Sequence, residues 1–152
     1  MVGRRGFTAI ELLIVMSVFI ILLLILVPST KSYISYSNYM GFRSAVYQLL
    51  SDIRMAQELS VGEKIPYTVC FFPSSEVYYI TKPDNPSPKV ILYRKLPKNV
   101  DIVSTNFIDN RFYYSESGAP SMGGTITLKF NNKLYEITVI PVTGRVKIKT
   151  PF

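Results

Sequence analysis

The chain has 152 residues, a formal charge of +7, one cysteine and no histidine, which leaves room for one domain of modest size plus an anchor. An internal disulfide is excluded, and the commonest general base and zinc ligand is missing. The carboxylates are scattered without metal-ligand spacing, so the composition argues against an enzyme and implies no cofactor and no metal.

Near the start, residues 6–27 form an almost unbroken apolar run, GFTAIELLIVMSVFIILLLILV, carrying one acid, Glu11, behind the basic pair Arg4 and Arg5. Roughly 20 apolar residues at about 1.5 Å each cross the hydrocarbon core of a bilayer as a helix. The run is therefore expected to be a single membrane span. Arg4 and Arg5 precede it and only Lys31 follows closely, so the positive-inside bias places the N-terminus in the cytoplasm and the rest of the chain outside the cytoplasmic membrane. A cleaved secretory signal would have a shorter apolar region of about 7 to 15 residues. An acid near the start of a membrane helix costs on the order of a few kcal/mol unless it stays wet near the headgroups or finds a partner.

The stretch Gly6-Phe7-Thr8-Ala9-Ile10-Glu11-Leu12-Leu13-Ile14-Val15-Met16 resembles the N-terminal signature of type IV prepilins and of the pseudopilins of type II secretion, with Ala9 where leucine is commoner. The resemblance implies that residues 1–6 are a leader and that a prepilin peptidase cuts between Gly6 and Phe7 and methylates the new amino group of Phe7. It also implies that residues 7–27 are retained as membrane span and filament core. Glu11 would then pair with the Phe7 amine of a neighbouring subunit, a contact that strengthens as the local dielectric falls.

Pro28 is expected to end or kink this helix, because its ring clashes with the preceding turn and it lacks an N–H. Helical periodicity resumes over residues 28–62, where Phe42, Val46, Leu49, Leu50, Ile53, Ala56 and Leu59 recur every three or four positions. That apolar face needs a sheet to cover it, and Gly62 is the expected stop. Between them Tyr33, Ile34, Tyr36, Tyr39 and Met40 make no clean stripe, and Gly41 weakens the helix; the tyrosines suit either a membrane interface or subunit contacts.

From residue 63 to 152 the pattern changes to short β-rich runs at 67–72, 77–81, 90–94, 100–103, 111–114, 125–130, 134–140 and 145–149, separated by Pro, Gly and Ser clusters. Asn131-Asn132 reads as a tight hairpin turn. The expected fold class is α+β: a long N-terminal helix, membrane-spanning in its first half, packed on an antiparallel β domain of about eight strands. This plan, with the helix end Leu49-Leu50-Ser51-Asp52-Ile53-Arg54-Met55-Ala56-Gln57 and the closing Thr143-Gly144-Arg145-Val146-Lys147-Ile148, resembles the GspH/FimT branch of minor pilins and minor pseudopilins. The first of these runs, with Phe71-Phe72-Pro73, is similar to the ComGD-type competence prepilins of Gram-positive bacteria.

Cys70 sits in an apolar strand, where a lone cysteine is ordinarily a small core residue. Alternation in the last strand sends Arg145, Lys147 and Lys149 to one face, a row of cations that could track a phosphate backbone. FimT-like minor pilins linked to DNA uptake resemble this with a basic Gly-Arg-x-Arg tail; here lysine stands at the last position and cannot fork onto phosphate as arginine does. The alternative is an edge strand guarded by lysines against aggregation. The partners implied are the prepilin peptidase, other pilin or pseudopilin subunits, the cytoplasmic membrane and DNA. The implied function is that of a structural subunit of a secretion, pilus or competence filament, with DNA capture as the alternative.

Overall fold

The computed structural model describes residues 6–26, 29–131 and 133–149, together with the side chains of these except residues 29–31. The chain divides into two compact units, Met1–Tyr39 and Met40–Phe152. The expected kink at Pro28 and the basic pair Arg4 and Arg5 lie outside the described residues.

In the first unit, helix α1 (Ala9–Leu26) is apolar on every side and buries no residue. Its length and composition suit it to crossing a membrane. A soluble helix would keep one polar face for water. Ser17, the polar residue in mid-helix, returns its hydroxyl to the carbonyls of Leu13 and Ile14, both at 2.9 Å, which removes its need for another partner.

Helix α2 (Ser29–Glu63) continues through Gly41 without interruption. It ends one residue past the expected stop: Glu63 is the last helical residue and Lys64 takes the left-handed conformation, with φ 56°. Gly62 stays inside the helix. In the second unit the predicted stripe is the one that is covered. Phe42, Val46, Leu49, Ile53 and Ala56 are buried, with Leu50 and Leu59 half-buried beside them.

Among the described residues the cover is eight strands, all antiparallel, in two four-stranded sheets. The first has the order β3 (Lys89–Lys95), β2 (Val77–Lys82), β1 (Tyr67–Phe72), β5 (Arg111–Tyr114). The second has the order β4 (Asp101–Thr105), β6 (Gly124–Phe130), β7 (Lys133–Val139), β8 (Val146–Lys149). All eight runs read from the sequence are strands, shifted by no more than one residue at most ends. Phe130 pairs with Lys133 across the expected hairpin, and Asn131 has the positive φ of 54° that such a turn requires.

Alternation sorts each strand into two faces. Tyr67, Val69 and Phe71 of β1, Tyr78 and Ile80 of β2, and Phe112 and Tyr114 of β5 point into one core with Ile126, Leu128, Ile137 and Val139 of the second sheet. Phe42 stacks on Phe130 with ring centroids 4.8 Å apart and meets Tyr135 at 4.3 Å, so the helix stripe is seated on the second sheet. Phe107 and Phe112 stack at 4.6 Å in the same core. Cys70 is buried on the other face of β1, between its cross-strand partners Tyr79 and Arg111 and outside the main core.

Candidate functional site: a capped acid at the head of the apolar helix

The one acid of the apolar run is the third residue of the first unit's helix, and the local geometry explains why it tolerates that position. Thr8 precedes the first helical residue and accepts the first intrahelical hydrogen bond, from Leu12 N–H, at its carbonyl. Glu11 is the third residue of the helix. Thr8 N–H and the Thr8 hydroxyl both donate to Glu11 Oε2 at 3.0 Å, and Glu11 N–H reaches back to Thr8 Oγ1 at 3.4 Å. This reciprocal pair is a capping box, the Thr-x-x-Glu arrangement that satisfies helix N-terminal donors which lack intrahelical partners. The negative carboxylate also lies at the positive end of the helix dipole.

The sequence reading assigned Glu11 a partner only in a neighbouring subunit; within one chain it already has one. The missed signal was Thr8-Ala9-Ile10-Glu11 itself. All three bonds involve Thr8, and the two that reach the carboxylate both end on Oε2, so among the described residues Oε1 accepts no hydrogen bond. Gly6, Phe7, Thr8 and Glu11 line an open recess of about 460 Å³, and Phe7 is 83% exposed. One oxygen is thus fixed and the other is presented.

In the second unit a buried polar cluster lies under the helix. Asp52 is 5% exposed; it accepts the Tyr78 hydroxyl at 2.7 Å and Gln48 Nε2 at 3.3 Å, and Arg94 Nε approaches at 3.5 Å. Burial, reinforced by the hydrogen bond to Asp52, pushes the Tyr78 hydroxyl far above the ordinary tyrosine value. Burial likewise raises the Cys70 thiol, which leaves it a poor nucleophile. Among the described residues no cluster of three or more acids or cysteines has the spacing to hold a metal ion.

The two stretches that carry the GspH/FimT resemblance meet in space. Gln57 of α2 donates through Nε2 to the carbonyls of Gly118, at 2.7 Å, and Thr143, at 3.2 Å. The Tyr114 hydroxyl donates to the Gly144 carbonyl at 3.1 Å. Gly144 has φ +65°, and a Cβ there would meet Gln57 Nε2 at 2.5 Å and Tyr114 Cε1 at 2.8 Å, so glycine is required twice over. This clasp sets the start of β8. Arg145, Lys147 and Lys149 are all exposed while Val146 is buried and Ile148 half-buried, as alternation requires. The row is not a free run of charge, because Lys149 Nζ lies 3.5 Å from Glu136 of β7.

A wholly exposed apolar helix, headed by a capped acid, and an amphipathic helix seated on two antiparallel sheets make a type IV pilin-like fold. No protein-family model matches the chain. Over 146 residues, 96% of the chain and 94% of the relative, it is 28% identical to the competence protein ComGD of Bacillus subtilis (strain 168). Its fold matches the minor pseudopilin EpsH of the Vibrio cholerae type 2 secretion system with a TM-score of 0.60 at 8% identity, over 72% of this chain and 96% of EpsH. The type IV minor pilin FimU of Pseudomonas aeruginosa matches at 0.59 and 11% identity, over 70% of this chain and 87% of FimU. The likeness is one of sequence to ComGD and of fold to EpsH and FimU.

Proposed function

We propose that the chain is a minor subunit of a competence pseudopilus, made as a prepilin, cut between Gly6 and Phe7 by a prepilin peptidase on the cytoplasmic side and methylated on the Phe7 amine. The competence assignment rests on the likeness to ComGD along nearly the whole chain. The observation that carries the assembly role is the geometry of Glu11, which is held by Thr8 through one oxygen with the other open beside an exposed Phe7. In this reading α1 anchors the subunit in the cytoplasmic membrane until assembly, with residues 40–152 outside. It then enters the filament core, where Glu11 Oε1 accepts a neighbour's Phe7 amine. Charge-assisted pairing in a low-dielectric core is strong, and it fixes register because an unpaired partner is left behind by a slip.

Processing is tested by the mass of the subunit recovered from membranes of cells with and without the peptidase. The reading expects a mature chain starting at methylated Phe7, and a full-length chain when Gly6 is replaced by a bulky residue. A chain that keeps residues 1–6 in the presence of the peptidase would instead make it an unrelated single-span protein.

A second reading has one specific support, the placement of Arg145, Lys147 and Lys149 together on the solvent face of an edge strand. In it the subunit also holds DNA through the phosphate backbone. Changing all three to Gln should then lower affinity for duplex DNA and flatten its salt dependence while filaments still form. Unchanged affinity would leave the structural role alone.

A further inference from the structure

The four sheet edges are not alike. β5 is covered: Ser121 N–H donates to the Tyr113 carbonyl at 2.7 Å, Ser121 Oγ accepts Tyr113 N–H at 3.1 Å, and Tyr114 bridges to Pro120. β4 is short and bulged between Ile102 and Ser104, and Glu76 accepts Ile102 N–H. β8 has four residues, and its exposed ones are lysines. Short, bulged, covered or lysine-bearing edges are the usual guards against strand addition.

β3 has one bulge, at Ile91, where its register with β2 shifts between Ile80 and Thr81, but it is neither short nor covered by a described strand. It is seven residues long, pairs on one side with β2, and among the described residues no strand pairs on its other side. Its middle is apolar and open, with Val90 52%, Ile91 37% and Tyr93 62% exposed. Tyr93 lies opposite Tyr79, and Phe72 stacks on Tyr79 at 5.1 Å, so the strand borders an aromatic row. The cations stand at its ends: Lys89 at one, Arg94 and Lys95 at the other.

We infer that the free edge of β3 takes up an extended segment of a different protein, one with acidic residues at both ends and apolar or aromatic residues between them. Main-chain hydrogen bonds from the added strand supply affinity, and alternate side chains supply specificity. The charges choose the occupant. A second copy pairing antiparallel about Leu92 sets Lys89 against Lys95 at both ends, and a parallel copy sets each lysine against itself. Like charges directly opposite are unfavourable, whereas carboxylates at both ends complement Lys89 and Lys95. A nucleic acid would gain little from the apolar centre and from a strand edge that no described strand covers. This inference needs only the sheet edge and stands apart from the processing and assembly proposed above.

The test uses the full chain in lipid nanodiscs and the synthetic peptide Asp-Glu-Thr-Val-Tyr-Val-Thr-Glu-Asp, with a twin whose four acids are lysines. The expected result is that the acidic peptide slows amide exchange in β3, and that the lysine twin binds about tenfold weaker or less. Tyr93→Lys should abolish the slowed exchange while the thermal transition of the variant stays in place, because the replaced side chain is exposed. Three results would overturn the inference: binding that leaves β3 exchange unchanged, equal binding of the two peptides, or no binding at all. Protection of β3 by an oligothymidylate in place of the peptide would assign the edge to nucleic acid. Protection that grows with the concentration of the chain alone would assign it to a second copy.

Discussion

Helix α1 is as rich in leucine and isoleucine as any core and buries none of them, whereas α2 between Phe42 and Ala56 buries five apolar side chains and, apart from Asp52, keeps its charged residues outside. The difference lies in periodicity, not in hydrophobicity. An apolar surface on all sides is stable only where the surroundings are apolar on all sides, in a bilayer or among like helices. A stripe at three- and four-residue spacing has one wet side and asks for one partner, which the two sheets provide. Each helix also carries a carboxylate that has to be reconciled with its surroundings, and each does it locally. Glu11 is held by the N-terminal donors of its own helix, and Asp52 by Tyr78, Gln48 and Arg94.

Truncation separates the two helices most sharply. Ile53→Ala should destabilise the folded residues 40–152 by about 2–5 kcal/mol, since Ile53 has no exposed surface and its loss leaves a cavity. Ile20→Ala, at a side chain 58% exposed, should leave the thermal transition of the full chain in detergent where it was. Similar losses from both would end the distinction. A smaller effect is expected from Asp52→Ala, about 1–3 kcal/mol, because it strands the buried Tyr78 hydroxyl. Asp52→Asn keeps an acceptor for that hydroxyl and should recover part of the loss; no difference between the two variants would show that the hydrogen bond is not what holds the site.

The smallest expected effect appears in the tyrosine titration. Burial raises Tyr78 and Tyr114 above the ordinary value of about 10. Above that value the unfolded chain releases these protons and the folded chain keeps them, so stability is fully present below about pH 10 and falls as pH rises toward their folded values. Absorbance should show Tyr78 and Tyr114 ionising only as the fold is lost. Ionisation of either while the chain is still folded would contradict its placement.

Most of the fold was legible because its signals are local. Period two marked the eight strands, period 3.6 marked the stripe, and Asn131 marked its turn. Three features were not legible, each for a reason of its own. The division of eight strands into two sheets depends on pairings between distant segments, such as β1 with β5, that no local pattern encodes. Helix α2 passes Gly62 to stop at Glu63 because glycine permits a left-handed turn without compelling one, and Lys64 takes that conformation instead. At the candidate site, Gly6, Phe7 and Glu11 stand out through their resemblance to prepilins, yet the capping box Thr8-x-x-Glu11 is hidden, because an acid in an apolar run points first to headgroup water or to a neighbouring subunit. The clasp of Gln57 on Thr143 joins residues 86 positions apart and could be seen only once the chain was folded.

The most direct measurement concerns the acid that heads α1. Wild type, Glu11→Ala and Thr8→Val chains would be expressed in cells carrying the filament machinery, and the subunit quantified in membranes and in filaments sheared from the surface. All three should insert and be cut after Gly6; Glu11→Ala should stay in the membrane and be absent from filaments, and Thr8→Val, which keeps the carboxylate and loses only the hydroxyl of the cap, should be incorporated. Glu11→Ala found in filaments at the wild-type level would contradict the assembly role of Glu11.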